Sequence, residues 1–154
     1  MALLHVALWE PEIPPNTGNV ARLCAATGTP LHLVGRLGFR LDERSLRRAG
    51  LDYWHAVEAH RYESLAELEQ HLAGAGRLLC FSARAAMPYT EMQFEPGDCL
   101  LFGPESRGLP DEVLERHAGH TLRIPMPGGA VRSLNLATAV GIVLYEELRQ
   151  LHAW

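Results

Sequence analysis

Short apolar runs alternate with stretches of helical periodicity along the chain. The apolar runs predict strands over Leu3–Trp9, Leu31–Val34, Ala56–Ala59, Leu78–Phe81, Cys99–Phe102 and Thr121–Ile124. The periodic stretches predict helices over Thr17–Thr27, Ser64–Leu72, Asp111–His117 and Leu134–Leu151. Such alternation is typical of an α/β fold with a mostly parallel sheet. We therefore predict one domain over residues 1–154, with a six-stranded sheet and helices on both of its faces.

The composition narrows the class of protein. With 154 residues, 47% of them hydrophobic, the chain can form a core without disulfides or a structural metal. No apolar segment reaches the ~18 residues of a membrane helix, and the apolar N-terminus lacks the basic flank of a signal peptide. The three cysteines stand singly inside apolar runs, which favours buried, reduced thiols. We predict a cytoplasmic protein that binds neither a metal nor a membrane.

The positive charges are unevenly distributed. The chain has a net charge of −4 and no lysine, but its fourteen positive charges are all arginines. Five of them fall within thirteen residues: Arg36, Arg40, Arg44, Arg47 and Arg48. Arginine suits phosphate groups because its guanidinium is a planar fork of donors. This cluster is a candidate RNA contact, and a solvated surface segment is the alternative.

Unusual loops follow four of the predicted strands. They are rich in polar residues, glycine and proline, and cover residues 10–19, 82–84, 103–108 and 125–133. The carboxyl ends of parallel strands share one edge of a sheet, where ligands bind. The loops should therefore form one site. They carry no dinucleotide-binding glycine motif, no P-loop, no serine nucleophile motif and no metal-type histidine pair.

The last predicted helix is apolar on more than one side. One stripe at helical spacing consists of Leu134, Ala137, Val140, Gly141, Leu144 and Leu148. The opposite face is predicted to carry Leu136, Ala139, Ile142 and Val143. A helix that is apolar all round is buried all round, so we predict that its second face meets another copy of the chain in a homodimer.

The loops resemble the three motifs of the TrmH-type SPOUT RNA 2′-O-methyltransferases. The first motif is similar to Asn16-Thr17-Gly18-Asn19 followed by Arg22, and the second to Phe102-Gly103-Pro104-Glu105. The third resembles Arg123-Ile124-Pro125-Met126 through Ser133-Leu134-Asn135-Leu136. Residues 10–15 and 47–54 look like segments of the TrmL subgroup. The loop after the fourth strand departs from that subgroup's Thr-Lys-Gly, because this chain has Ser82, Arg84 and Ala85 there.

This resemblance implies a fold, a cofactor and a substrate. The fold would be knotted, with the C-terminal segment threaded through a loop as a trefoil. S-adenosylmethionine would bind at positions matching Phe81, Gly103, Ile124 and Ser133. Enzymes of the subgroup methylate the ribose 2′-OH of the wobble nucleotide, cytidine or modified uridine 34, of tRNA-Leu, and they act as dimers. The anticodon arm would then meet the arginines between Arg36 and Arg48.

The same resemblance nominates Arg22, Asn16, Glu105 and Asn135 as catalytic residues. A guanidinium stays protonated in proteins, so Arg22 suits the stabilisation of a developing alkoxide better than the role of a base. An exposed helix arginine is the alternative for Arg22. A helix cap is the alternative for Asn16, and for Ser133 in its cofactor role. For Glu105 the alternative is a hydrogen bond that stabilises its loop.

Other functions stay open at this level. One is 2′-O-methylation of another tRNA position or of rRNA. Another is a non-catalytic RNA-binding protein with the same fold, against which the presence of four residues counts: Arg22, Glu105, Ser133 and Asn135. A catalytic-cysteine enzyme is a weaker alternative, because none of the three cysteines has an obvious polar partner nearby in the sequence.

Overall fold

The computed structural model describes residues 3–48 and 54–154, in which all the strands belong to one parallel sheet. Its strands are β1 His5–Trp9, β2 Leu31–Val34, β3 Ala59–Tyr62, β4 Leu78–Phe81, β5 Met87–Pro88, β6 Cys99–Phe102 and β7 Thr121–Arg123. Their order across the sheet is β3-β2-β1-β6-β4-β7-β5. Every pairing is parallel. All strand carboxyl ends therefore lie at one edge, called the carboxyl edge below.

The described residues form five α-helices, of which the first four lie between strands and the last follows β7: α1 Pro14–Thr27, α2 Glu43–Arg48, α3 Leu65–Leu72, α4 Asp111–Arg116 and α5 Leu136–His152. Local chemistry sets several of their ends. Proline begins α1, where its fixed φ suits the first turn, and Gly28 ends it in a left-handed conformation. Ser64 caps α3 by accepting a hydrogen bond from the Glu67 amide at 3.3 Å.

The central strands β4 and β6 are apolar on both faces because both faces are covered. In β1, Val6 and Leu8 belong to the hydrophobic cluster that includes α1 and α5, whereas Ala7 belongs to the cluster that includes α3 and α4. This follows from the alternation of side chains along a strand. The predicted α/β sheet with helices on both faces is confirmed.

Two strand predictions were wrong. The sheet has seven strands rather than six, since Met87–Pro88 adds a two-residue strand too short to give a periodic signal. The third strand is Ala59–Tyr62, not Ala56–Ala59, and residues 54–56 form a 3₁₀ turn. The misleading signal came from the apolar residues near Val57, which pack on the core from outside the sheet, whereas the edge strand carries polar His60 and Arg61.

The helix predictions also need correction. The first helix begins at Pro14, so Asn16 lies inside the first turn and Ile13 is the N-cap residue. The short α2 was not predicted. In α5 the predicted division into two faces was wrong, because the buried side draws on both proposed stripes: Leu136, Val140, Val143, Leu144 and Leu148. The TrmL-like segment 47–54 is described only in part, since residues 49–53 lie outside the described residues.

Three further properties concern the described residues. All three cysteines are buried and free, as predicted, and burial raises the pKa of Cys24 and of Cys80 to about 12. None of the helices in residues 3–48 and 54–154 is both long and apolar enough to cross a bilayer. Within the same ranges, no group of three or more His, Cys, Asp or Glu side chains is arranged to hold a metal ion.

Candidate active site at the carboxyl edge

Glu105 lies at the centre of a hydrogen-bonded network at the carboxyl edge. It belongs to the loop after β6, and its carboxylate accepts the backbone amides of Glu12 and Ile13, both at 2.9 Å. These amides belong to the two residues that precede α1, whose N-cap residue Ile13 has no side-chain capping bond. A carboxylate at a helix N-terminus satisfies unpaired N–H groups and opposes the positive end of the helix dipole. Glu105 therefore ties the chain entering α1 to the loop after β6 and places a negative charge near the positive end of the helix.

Asn16 and Asn135 extend this network to the last helix. The buried Asn16 amide donates to Glu105 at 3.2 Å, and its carbonyl oxygen accepts from the Asn135 amide at 3.0 Å. Asn135 is also the N-cap of α5, where its side-chain oxygen accepts from the Thr138 amide at 3.2 Å. Three of the four residues nominated as catalytic thus form one chain of hydrogen bonds. Asn135, rather than Ser133, caps α5.

Arg22 lies further along α1 on its exposed side. It is six residues beyond Asn16, which corresponds to about 9 Å along the helix axis. The network fixes the first turn of α1 relative to the loops that carry Glu105 and Asn135. Because a helix is rigid, the position of the Arg22 backbone relative to these loops is fixed as well. Arg22 is thus an exposed residue on a helix that begins at the network.

A second clamp beside Glu105 was not predicted from the sequence. The Glu12 carboxylate accepts both the amide and the hydroxyl of Ser106, each at 2.9 Å. The Ser106 side-chain bond, followed by its backbone bond, lowers the pKa of Glu12. Glu12 and Glu105 therefore bind each other's loops reciprocally. Two acidic residues spaced ninety-three apart give no signal in a single sequence.

The loop after β2 packs on the same structure. The Gly38 amide donates to the Pro11 carbonyl at 2.9 Å. A Cβ at Gly38 would lie 2.7 Å from the Glu12 carbonyl oxygen, so only glycine allows this approach. The second residue of this loop, Arg36, donates its backbone amide to Glu10 at 3.2 Å. The arginine segment thus begins at the candidate site, and all five of its arginines are exposed.

The proposed cofactor positions lie on three neighbouring strands. Phe81 ends β4, Gly103 follows β6 and Ile124 follows β7, with β4 paired to both of the others. Phe81 stacks on Phe102 at a ring-centroid distance of 4.6 Å, so its ring belongs to the core and its backbone to the edge. Ser133 is exposed, two residues before the α5 cap. The structure therefore gathers Phe81, Gly103 and Ile124 at adjacent strand ends.

Gly103 lies in close contact with the backbone of its own loop. A Cβ there would lie 2.4 Å from both the Gly108 carbonyl carbon and the Leu109 nitrogen. The loop after β6 therefore folds back on its own start. Backbone groups rather than ionisable side chains occupy these three strand ends, which suits a ligand that combines a sulfonium cation with an adenosine. Main-chain hydrogen bonds and apolar contacts are the interactions that such a ligand takes from its pocket.

The loop after β4, which departs from the TrmL pattern, forms a regular turn. The Ala85 amide donates to the Ser82 carbonyl at 3.2 Å, and the Arg84 amide to the Ser82 hydroxyl at 3.2 Å. Ala85 is not among the described residues with positive φ, so alanine is unstrained there. The Arg123 side chain of β7 donates to the carbonyl oxygens of Ala85 and Ala86 and so fastens the loop to the neighbouring strand.

Two shallow cavities adjoin this loop on the α4 side of the sheet. The larger, of about 380 Å³, is lined by residues that include Ala85, Leu114 and Thr121. Neither cavity includes Phe81, Gly103 or Ile124. Their position differs from that of the hydrogen-bonded network, and we assign the site to the network because its polar groups converge there.

Comparison with known proteins decides the family. Residues 3–145 match the model of the SpoU rRNA Methylase family. The chain belongs to the SpoU methylase family. A SpoU relative from Aeromonas hydrophila, named tRNA (cytidine(34)-2′-O)-methyltransferase, is 45% identical over 150 residues, covering 97% of this chain and 95% of the relative.

Two solved structures of RNA-methylating enzymes agree with this assignment. One, described as giving structural insights into the 2-OH methylation of C/U34 on tRNA, is 54% identical with a TM-score of 0.90 and covers 98% of this chain and 97% of its own. An AdoMet-bound rRNA methyltransferase from Sinorhizobium meliloti is 31% identical with a TM-score of 0.79, covering 96% of this chain and 56% of its own. The resemblance found in the sequence motifs is confirmed at the level of the family.

Proposed function

We propose that this protein transfers a methyl group from S-adenosylmethionine to the ribose 2′-OH of nucleotide 34 of a tRNA. The observation that carries the proposal is the Glu105–Asn16–Asn135 network, which joins the three sequence motifs at one edge of the sheet. Its support is the similarity to relatives named for cytidine 34 of tRNA. We further propose tRNA-Leu, through its anticodon arm, as the substrate.

The cofactor would be held by the strand ends at Phe81, Gly103 and Ile124 together with Ser133. When bound, S-adenosylmethionine supplies an electrophilic methyl group. The tight turn at Gly103 keeps the loop after β6 against its own strand, and Arg123 keeps the loop after β4 in place. These contacts leave the main-chain groups of the edge preorganised for a ligand.

The chain's own side chains would act on the ribose. Glu105 and Asn16 hold the start of α1 and therefore position Arg22. Arg22 would stabilise the negative charge that develops on the 2′-oxygen and contact the adjoining phosphate. Since a guanidinium keeps its protons, the proton of the 2′-OH leaves to another acceptor.

We also propose that the active form is a homodimer and that the chain after β7 is threaded as a trefoil knot. The support for the knot is the position of β7 between β4 and β5, two strands that precede it in the sequence. The support for the dimer is the outer side of α5, where Ile142 is partly exposed and Tyr145 is 46% exposed.

The test is to incubate the protein with unmodified tRNA-Leu and methyl-labelled cofactor and to map the label. We expect one labelled ribose, at nucleotide 34. Arg22→Ala should lower the rate roughly 10²–10³-fold, the usual effect of removing one transition-state donor. Arg61→Ala, at an exposed arginine of the edge strand β3, serves as the matched control and should retain the rate. Label on a base, on another position or on rRNA alone would contradict the proposal.

A further inference from the structure

Arg107 is an exposed arginine in the loop that carries Glu105. Its side chain is 60% exposed, and its Nη2 donates to Glu10 Oε1 at 2.9 Å. The guanidinium carbon also lies 5.7 Å from the centre of the Trp9 ring. A cation over an indole face is attracted by the ring quadrupole, and the ring restricts where the guanidinium can move. Arg107 is therefore held at a defined place while most of its donors face solvent.

The partner of Arg107 connects it to the arginine segment. The Glu10 carboxylate accepts Arg107 through one oxygen and the Arg36 backbone amide through the other, at 3.2 Å. Glu10 itself has a φ of 49°, a left-handed conformation that is unusual outside glycine. Glu10 thus brings the start of the arginine segment, at Arg36, next to Arg107. Arg107 is in turn two residues from Glu105 in the sequence. A nucleic-acid backbone could follow these arginines into the site.

We propose that Arg107 binds a backbone phosphate next to the nucleotide that is methylated, and that Glu10 holds Arg107 in place before RNA arrives. The guanidinium fork has five donors and suits a phosphate in two-point contact. Glu10 uses one of these donors, and its negative charge opposes an approaching phosphate. Glu10 therefore has a restraining role, and its removal increases RNA affinity. This inference rests on the proposed function, because it takes RNA as the substrate.

The sign of the effect at Glu10 separates this role from a structural one. If Arg107 and Glu10 only fasten two loops together, removing either side chain weakens the site, and RNA binding falls in both variants. If Arg107 is a phosphate ligand and Glu10 its restraint, the two variants change RNA affinity in opposite directions. Glu10→Gln keeps the side-chain length and an acceptor for the Arg36 amide while removing the charge.

The experiment measures binding of unmodified tRNA by fluorescence anisotropy between 50 and 300 mM salt. Arg107→Gln should weaken binding roughly threefold to tenfold and reduce the slope of log affinity against log salt by about 1. Glu10→Gln should strengthen binding severalfold. Arg116→Gln is the control, because Arg116 is 55% exposed and paired with Glu69 at 2.6 Å, but lies at the end of α4. S-adenosylmethionine binding by calorimetry should be unchanged in all three variants.

Two outcomes would overturn the inference. One is an Arg107→Gln protein with the affinity and salt slope of the wild type. The other is a Glu10→Gln protein that binds tRNA as weakly as Arg107→Gln. Failure of the proposed function gives a different result, since it is seen in where the wild-type protein places the label, or in the absence of label, and not in the tRNA affinities of the Arg107 and Glu10 variants.

Discussion

At the scale of single residues, the most unusual side chain lies far from the candidate site. Glu147 of α5 is 0% exposed, and neither of its carboxylate oxygens has a hydrogen-bond partner among the described residues. Burial, followed by the nearby charge of Asp98, raises its pKa to about 9, while Arg77 acts in the opposite direction. Arg77 instead bonds Asp98 through two nitrogens, at 2.9 and 2.7 Å. Glu147 is therefore protonated in the folded protein at neutral pH.

Replacing Glu147 by methionine should stabilise the protein. Methionine has a similar volume and removes a buried polar group without a partner, a change of about 1–3 kcal/mol in unfolding free energy. The unfolded chain ionises Glu147 above its ordinary pKa of 4.5, whereas the folded chain keeps the proton until about pH 9. Stability therefore falls as pH rises across this window, and the advantage of Glu147→Met should grow from pH 5 to pH 9.

Urea denaturation at pH 5, 7 and 9 measures this effect. Glu146→Gln is the matched control, since the neighbouring carboxylate is bonded to Arg149 at 2.7 Å and its pKa is lowered rather than raised. A Glu147→Met protein less stable than the wild type at pH 9 would show that the carboxyl group has a partner or a role that the fold requires.

At the scale of elements, three strands and a helix bring four histidines together. His5 of β1, His32 of β2 and His60 of β3 form a row, which His71 of α3 covers. His32 bonds His5 at 2.9 Å and the Tyr62 hydroxyl at 3.1 Å. The charged group nearest the row is Glu58, which bonds His60 at 2.7 Å.

This row should make the β1–β2–β3 part of the sheet sensitive to acid. Burial, then the charges of the other histidines, lowers the pKa of His32 to about 3, and burial lowers the pKa of His5 despite the attraction of Glu58. The unfolded chain takes up a proton at His32 below pH 6.5, whereas the folded chain does not until about pH 3. His32 therefore contributes stability at neutral pH that is lost as pH falls from 6.5 towards 3.

Unfolding free energies of the wild type and of His32→Gln at pH 7 and pH 5 test this expectation. The wild type should lose more stability than the variant between the two values. Glu147 titrates with the opposite sign over part of this range, but it is present in both proteins and cancels in the difference. His55→Gln, at an exposed histidine outside the row, is the control and should behave like the wild type. Equal losses in wild type and His32→Gln would refute the assignment.

How far the elements could be predicted depends on where each residue packs. Strands covered on both faces, such as Leu78–Phe81 and Cys99–Phe102, were predicted with their exact bounds, because a run that is apolar throughout follows from burial on both sides. The edge strand was misplaced since it is covered only in part, and its sequence therefore tolerates polar His60 and Arg61. The face of α5 was misassigned because an apolar periodicity cannot say which of two apolar sides meets the sheet.

The candidate site shows the same division. Its location followed from the rule that parallel strands end at one edge, and Asn16, Glu105 and Asn135 indeed meet there. The clamps made by Glu12 and Glu10 could not be predicted, since their partners lie more than ninety residues away and carry no motif. Which distant surface residues bond to each other depends on how the fold brings their loops together, and a single sequence does not contain that information.

At the scale of the whole molecule, the sheet divides the proposed tasks. The arginine segment follows β2, in the β3-β2-β1 half of the sheet. The proposed cofactor positions lie at the ends of β6, β4 and β7, in the other half. The Glu105 network lies at the β1–β6 boundary, where the strand order reverses direction. Open α/β sheets bind ligands at such switch points. The RNA backbone and the methyl donor would thus approach from opposite sides and meet at the network.

The same molecule presents one helix that its own sheet covers only in part. The outer side of α5 carries Gly141, Ile142 and Tyr145, none of which is buried in a single copy of the chain. We expect this side to be covered by a second copy, since a second α5 offers the same surface in reverse and a two-fold interface needs only such self-complementarity. Static light scattering at micromolar concentration should give twice the 17.1 kDa of the chain.

Charge placed on that side should separate the copies. Ile142→Arg should lower the scattering mass to that of one chain and reduce tRNA methylation, because a buried guanidinium without a partner opposes association by several kcal/mol. Ala66→Arg, at an exposed position of α3 on the other face of the sheet, adds the same charge and should leave mass and activity unchanged. Circular dichroism of both variants checks that each chain stays folded. An Ile142→Arg protein that remains dimeric would place the interface elsewhere on the molecule, and a wild type with the mass of one chain would mean that the outer side of α5 faces water.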